Sequence, residues 1–219
     1  MPKVSQEYRV ARRQEILDVA VRCFARDGFH KVSMDTIIKE GDLSAGAIYR
    51  YFRSKDEIIA AIAQQRHAQE TALLAKFLES EDLAVALPSL AKAFFLLLKS
   101  PEEQMRRKVG IQVWAEALRS KQILEILERG IDQRKILTDA FARAQRSGRL
   151  STLVEPDALS RLMLAILQGF ILQQAWEPKV KREDFLNAFT FVCKAILAPG
   201  EKQDPVQGAA RRSHRTRRP

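Results

Sequence analysis

The chain has 219 residues, 46% of them hydrophobic, and a formal net charge of +10. The apolar share excludes a globally disordered chain, and the basic balance favours an anionic partner such as nucleic acid or a membrane surface. Two distant cysteines, Cys23 and Cys193, exclude a disulfide-built scaffold; no Cys/His pair has zinc spacing, so no metal or cofactor is expected.

Each thiol lies in an apolar helical pattern, as a buried, reduced cysteine would. Polar and charged residues follow Met1, with no signal-peptide core. The longest nearly apolar stretch, residues 84–98, is interrupted by Pro88, Ser89 and Lys92 and is too short to cross a bilayer. A soluble, cytoplasmic protein with no membrane partner is expected.

The periodicity predicts an all-α chain. After an arm over 1–7, a first helix is expected over 8–26, with Ile16, Leu17, Ala20, Val21 and Phe24 on one stripe and Gly28 as its stop. Ser33 is a good N-cap for a short second helix, with Asp35 in its first turn facing the positive end of the dipole. Gly41 and Asp42 end it, and Ser44 caps a third helix through Tyr51. Ser54-Lys55-Asp56-Glu57 reads as a capping box opening a fourth helix with Ile58, Ile59 and Ile62. The short turn between the second and third helices is helix-turn-helix geometry, so residues 8–56 form a candidate DNA-binding domain.

Longer helices fill a body over 57–198. A connector over 57–79 is followed by an apolar helix to Lys99, with Pro88 as kink or late start. Ser100-Pro101-Glu102-Glu103 opens another helix. One helix is expected over 121–147, stopping at Gly148; one from Pro156 through Trp176, closed by Pro178; and a last over 182–197, before Pro199-Gly200. The tail over 199–219, ending Arg211-Arg212-Ser213-His214-Arg215-Thr216-Arg217-Arg218, is polar and expected to be disordered. It either supplements DNA affinity or is a solvated end.

The third helix has the chemistry of a groove reader. Leu43, Ile48 and Phe52 can point inward while Ala45, Gly46, Arg50 and Tyr51 point out. Small residues let a helix backbone approach bases, and Ala45 or Ala47 can touch a thymine methyl. Arg50 can fork onto guanine, or contact phosphate instead. Tyr49 and Tyr51 can donate to phosphates, although Tyr49 also suits packing. Lys55 adds charge at a helix N-terminus. Asp35 and Thr36 can serve simply to stabilise a helix start. The candidate DNA-contacting set is Ser33, Thr36, Ser44, Ala45, Gly46, Ala47, Tyr49, Arg50, Tyr51 and Lys55.

These residues resemble the DNA-binding domain of tetracycline-repressor (TetR/AcrR) regulators. The likeness is carried by Ser33-Met34-Asp35-Thr36-Ile37-Ile38, by Leu43-Ser44-Ala45-Gly46-Ala47-Ile48-Tyr49-Arg50-Tyr51-Phe52 and by Ser54-Lys55-Asp56-Glu57. Upstream, the stretches Arg13 to Ala20 and Phe24 to Phe29 resemble the family's first helix and its exit. Two positions depart from the pattern. Asp42 stands where the turn usually has glycine, with Gly41 one residue earlier, and Asp tolerates a left-handed backbone better than most residues. Ala45 stands where a lysine is frequent, so operator sequence cannot be borrowed from relatives.

The body resembles, more loosely, that of betaine-responsive-type regulators in the family, through Val113-Trp114-Ala115-Glu116-Ala117, Gly148-Arg149-Leu150 and residues 157–170. That resemblance implies a homodimer in which the last two helices pack against their copies. Leu159, Leu162, Met163, Ile166, Leu167, Phe170 and Ile171 make an apolar face broader than an isolated helix needs, and Phe185, Phe189, Val192 and Ile196 line the other helix. An intramolecular core is the alternative. Two-fold symmetry would address a palindromic operator on double-stranded DNA. An effector pocket between body helices could take apolar walls from Phe94, Phe95, Leu98, Trp114, Phe141 and Trp176, with Gln112, Glu116 or Gln168 orienting a small molecule.

The implied function is a ligand-responsive repressor, released from its operator by an effector. An enzyme is disfavoured: His30, His67 and His214 are scattered and no Gly-x-Ser-x-Gly occurs, so no catalytic residue is expected. Gly41 to Gly46 mimics the start of a phosphate loop, but Ala47-Ile48 replaces its Lys-Ser/Thr. A sequence-tolerant DNA-coating protein is the other alternative.

Overall fold

The computed structural model describes residues 5–80, 82–97, 100–128, 131–177 and 179–197. Outside those residues lie positions 1–4 of the arm, Leu98 of the expected pocket, Pro178, and the basic tail with Pro199 and Gly200. Every regular element among the described residues is an α-helix.

Helix α1 (Gln6–Asp27) starts where Ser5 Oγ accepts the Tyr8 N–H at 3.2 Å, and ends at Gly28, whose φ of 82° an L side chain would strain. In α2 (Met34–Glu40) Ser33 and Thr36 satisfy each other's backbone N–H groups in a reciprocal capping box. The turn onto α3 (Ala45–Tyr49) divides its demands between two residues. Asp42 takes the left-handed conformation, φ 48°. At Gly41 an added Cβ would stand 3.0 Å from Leu43 Cγ and 3.2 Å from Val19 Cγ2, so glycine allows α2 to close on α1. Helix α4 (Lys55–Leu78) opens on Ser54, whose Oγ accepts the Glu57 N–H at 3.2 Å.

The body consists of the rest of α4 with α5 (Leu83–Leu97), α6 (Pro101–Ala117), α7 (Lys121–Glu128), α8 (Ile131–Arg146), α9 (Pro156–Trp176) and α10 (Arg182–Leu197). Pro88 lies inside α5 rather than starting it. The helix expected over 121–147 corresponds to α7 and α8, with residues 129 and 130 between them outside the described residues.

Three apolar clusters hold these helices. The first joins α1 to α4 through Ile16, Leu17, Phe24, Ile37, Ile48 and Ile58, and continues into Val109 and Val113 of α6 and Ile123 and Ile126 of α7. The small domain therefore shares its core with two body helices. The second packs α4, α5, α8, α9 and α10 around Leu78, Leu87, Phe141, Leu159 and Cys193. The third is a ring cluster of Phe94, Phe95 and Phe170 with Phe185 against it, the Phe170 and Phe185 centroids 4.1 Å apart.

Candidate nucleic-acid interface and body cavity

Helix α3 turns Ile48 inward, with Leu43 and Phe52 buried beside it, and leaves Ser44, Ala45, Gly46, Tyr49 and Arg50 exposed; Ala47 and Tyr51 are half-buried. A Cβ on Gly46 would meet nothing within 4 Å, so nothing in the protein requires glycine there. The bare backbone is available to whatever lies outside. Among the described residues the exposed cations Lys31, Lys39, Arg50 and Arg53 form no ion pair, which leaves their charge for phosphates. An Arg26–Glu40 pair at 3.1 Å braces α2 on α1.

Three expected contacts have local duties as well. Ser33 and Thr36 hydroxyls lie 3.0 Å apart within the α2 cap. Lys55, read as a phosphate contact, is half-buried and donates from Nζ to the Phe29 carbonyl at 2.6 Å, holding the exit of α1.

Helix α6 grips this head. Gln112 Nε2 donates to the Phe24 carbonyl at 3.0 Å and its Oε1 accepts the Phe29 N–H at 3.0 Å, so one amide closes the end of α1 around Gly28. Arg106 Nη2 meets Asp18 Oδ1 at 2.6 Å, and Gln65 of α4 reaches Gln14 at 2.8 Å.

A cavity of about 270 Å³ lies between α4, α5, α6, α8 and α9. Its walls are chiefly apolar, including Ile62, Leu87, Phe94, Val113, Trp114, Leu137, Met163 and Leu167, and its polar groups are Arg66, His67, Glu70, Gln133 and Gln168. Glu70 Oε1 accepts from Arg66 Nε at 2.9 Å and from Arg107 Nη1 at 2.8 Å. Burial pushes the Glu70 carboxyl up, but the two guanidinium charges outweigh it and hold it below its ordinary value. Burial, with repulsion from Arg66, lowers the Arg107 guanidinium from its usual value. Arg107 also lies 4.2 Å from the Phe94 ring centroid and 2.9 Å from Glu103. Gln133 Nε2 sits 3.1 Å from His67 Nδ1.

The apolar band of α9 has two sides. Leu159, Met163, Phe170 and Ile171 are buried in the chain's own clusters. Ala158, Leu162, Ala165, Gly169, Leu172 and Trp176 recur at alternating intervals of four and three along the other side, with Leu162 48% and Trp176 69% exposed. On α10, Ala188, Phe191 and Ala195 continue this face, Phe191 being 74% exposed. By length and composition α9 is long and apolar enough to cross a bilayer, a test that buried core helices also pass.

A family model described as bacterial regulatory proteins, tetR family, matches residues 16–62, from the core of α1 into α4. Beyond that span, the transcriptional repressor Rv1474c of Mycobacterium tuberculosis is 28% identical over 177 residues, 80% of this chain and 88% of that protein. The regulator UidR of Escherichia coli is 28% identical over 189 residues, 84% of this chain and 92% of its own length. Residues 16–62 thus match a TetR-type helix-turn-helix domain, and the chain is similar over most of its length to helix-turn-helix transcription regulators. Among solved structures, Salmonella enterica GusR matches this fold with a TM-score of 0.73 at 26% identity, covering 89% of this chain and 98% of that one.

Several residues read from sequence stand elsewhere in the structure. Of the expected pocket, Phe94, Trp114 and Gln168 line the cavity. Phe95 belongs to the ring cluster and Phe141 to the second core. Gln112 holds the end of α1, Glu116 faces His30 at 3.8 Å, and Trp176 points out. Of the expected partner face, Leu159, Met163 and Phe170 turn inward, Ile166, Phe185 and Phe189 pack half-buried on the cores, Val192 is half-buried, and Leu162 lies outward. A helix buried on both sides reads as one wide apolar band, so spacing alone could not divide it.

Sequence reasoning missed Arg66, His67, Glu70 and Gln133, whose polarity reads as a solvated face. The available signal was Gly110, a glycine within a helix with no turn to make. A Cβ there would stand 1.2 Å from Arg66 Nη1.

Proposed function

We propose that this chain is a homodimeric repressor that reads a two-fold-related operator and is released when a small molecule occupies the body cavity. The observation that carries the reading is the double duty of α6. Gly110, Val113 and Trp114 form cavity wall, while Arg106 and Gln112 on the same helix hold α1 of the reading head. A molecule that favours one placement of α6 therefore favours one placement of the head. The effector must prefer the released state by a few kcal/mol to shift occupancy usefully.

Ser44, Ala45, Gly46, Ala47, Tyr49, Arg50 and Tyr51 are assigned to the groove, with Ser33, Thr36 and Lys55 near the backbone. The outward face of α9 and α10 is assigned to the partner copy as a four-helix interface, the arrangement suggested by the body's likeness to betaine-responsive-type regulators. Two such heads would meet successive major grooves roughly 34–36 Å apart. The regulator would act in the cytoplasm, where its DNA is.

Selection of bound fragments from random DNA, with footprinting and sedimentation of the purified chain, tests the reading. A dimer protecting a palindrome is expected. A monomer indifferent to base order overturns it.

A further inference from the structure

The cavity wall carries an unmet demand. Arg66 Nη1, like Arg107 Nε of the neighbouring guanidinium, is buried without a hydrogen-bond partner. The guanidinium lies against the α6 backbone at Gly110, where any larger residue would put its Cβ on that nitrogen, and 5.5 Å from the Trp114 ring centroid. Native proteins rarely leave a buried N–H without an acceptor, least of all a charged one.

The cavity's own acceptor is already engaged. Glu70 Oε1 takes both Arg66 Nε and Arg107 Nη1, and Oε2 faces Gln133 Nε2 at 3.4 Å. Two carboxylates, Glu70 and Glu103, thus answer the two guanidinium groups, but neither bonds Arg66 Nη1. What is missing is an acceptor, and a negatively charged one suits the site better than a neutral one. A cation would meet the Arg66 guanidinium with nothing free to receive it.

We infer that the effector is a small amphipathic carboxylate, its carboxylate accepting from the Arg66 guanidinium and its apolar body lying against Trp114, Leu137 and Met163. This assignment rests on the reading of the cavity as the effector site. An apolar cavity of about 150 Å³ holds benzene. At that packing, about 270 Å³ admits roughly a dozen non-hydrogen atoms. The ligand is therefore compact, with one ring or a short chain behind the head.

The test uses three carboxylates of that size, 4-phenylbutanoate, 3-indolepropanoate and nonanoate, each with its primary amide, binding to the full chain by calorimetry. At least one carboxylate should bind about tenfold or more tightly than its amide. That preference should vanish in Arg66→Gln and survive in part in Arg66→Lys. Should Arg66→Gln fold poorly, Gly110→Ala provides a second arm: its methyl displaces the guanidinium and should weaken the acid while sparing the amide. Equal binding of acid and amide, a preference that survives both Arg66→Gln and Gly110→Ala, or no binding by any of the six overturns the inference. Operator affinity at saturating ligand separates the two claims. A carboxylate that binds through Arg66 yet leaves the DNA complex intact supports the ligand class and overturns release. Release by a ligand indifferent to Arg66 does the opposite.

Discussion

The Phe29 N–H donates to Gln112 Oε1 at 3.0 Å, joining the exit of the first helix to a helix wall 83 residues further along the chain. The same amide donates to the Phe24 carbonyl at 3.0 Å. Head and body are thus coupled by directed bonds as well as by shared apolar packing, and directed bonds fix orientation as packing alone does not.

Gln112→Ala should remove both bonds and leave a part-buried N–H unmet. The expected cost is about 1–3 kcal/mol in urea unfolding. Operator binding should persist, but the ratio of affinities with and without effector should shrink. Unchanged stability together with an unchanged ratio would show that the amide couples nothing.

The division of α9 and α10 into inward and outward faces gives opposite phenotypes. Phe191→Asp, on the outward face, should leave protomer folding nearly intact and shift sedimentation from dimer to monomer. Leu159→Ala, at 3% exposure, should cost the protomer about 2–5 kcal/mol in chemical unfolding, as core truncations do. If Phe191→Asp remains dimeric, the partner face lies elsewhere.

At Gly46 the signs for folding and binding should diverge. With nothing within 4 Å of the added Cβ, Gly46→Ala should be neutral or stabilising by up to about 1 kcal/mol. Gly46→Leu should fold equally well and yet lose specific DNA binding in gel-shift titration, because the bulk lies where the groove must approach. Full operator affinity in Gly46→Leu would remove α3 from the groove.

Arg50→Ala separates base reading from phosphate contact. Loss of a bidentate guanine contact should cost about 1–3 kcal/mol and relax selectivity at one operator position. A uniform loss across sequences, with a shallower salt dependence, would make Arg50 a backbone contact.

Glu70 predicts an acid limb. Its folded-state carboxyl lies below the ordinary 4.5 because two guanidinium charges prevail over burial. Its stabilisation is therefore complete above that ordinary value and lost as pH falls through the lower folded one. Glu70→Gln should flatten this limb in acid unfolding while lowering stability at neutral pH. An acid limb identical to the parent's would mean that Glu70 carries none of it.

The helices were legible because their punctuation is local. Ser5 was not read as a cap, but Ser33, Ser44, Ser54 and Ser100 all cap the helices they precede. Asp42 takes the left-handed turn that its residue type permits. The groove-facing pattern of α3 was legible for the same reason, since five residues have only one way to bury Ile48. The cavity was not legible. Arg66 and Glu70 look like an ordinary solvated i,i+4 pair on α4, and only the closure of α6 and α8 over them makes them interior. The partner face was half legible: apolar spacing located α9 and α10, but inward and outward sides depend on where the other helices lie.

Gly110 also restricts how α6 can travel. Sliding the helix by one residue either way would drive Val109 or Ile111 into the space filled by the Arg66 guanidinium. Tilting about position 110 keeps the glycine opposite the guanidinium. With a rise of about 1.5 Å per residue, the Pro101 end lies roughly 13 Å from that fulcrum and the Ala117 end roughly 10 Å. A small rock at the notch thus swings the two ends in opposite senses. Arg106 and Gln112 lie on either side of it, so such a rock would push the first helix at one grip and pull it at the other.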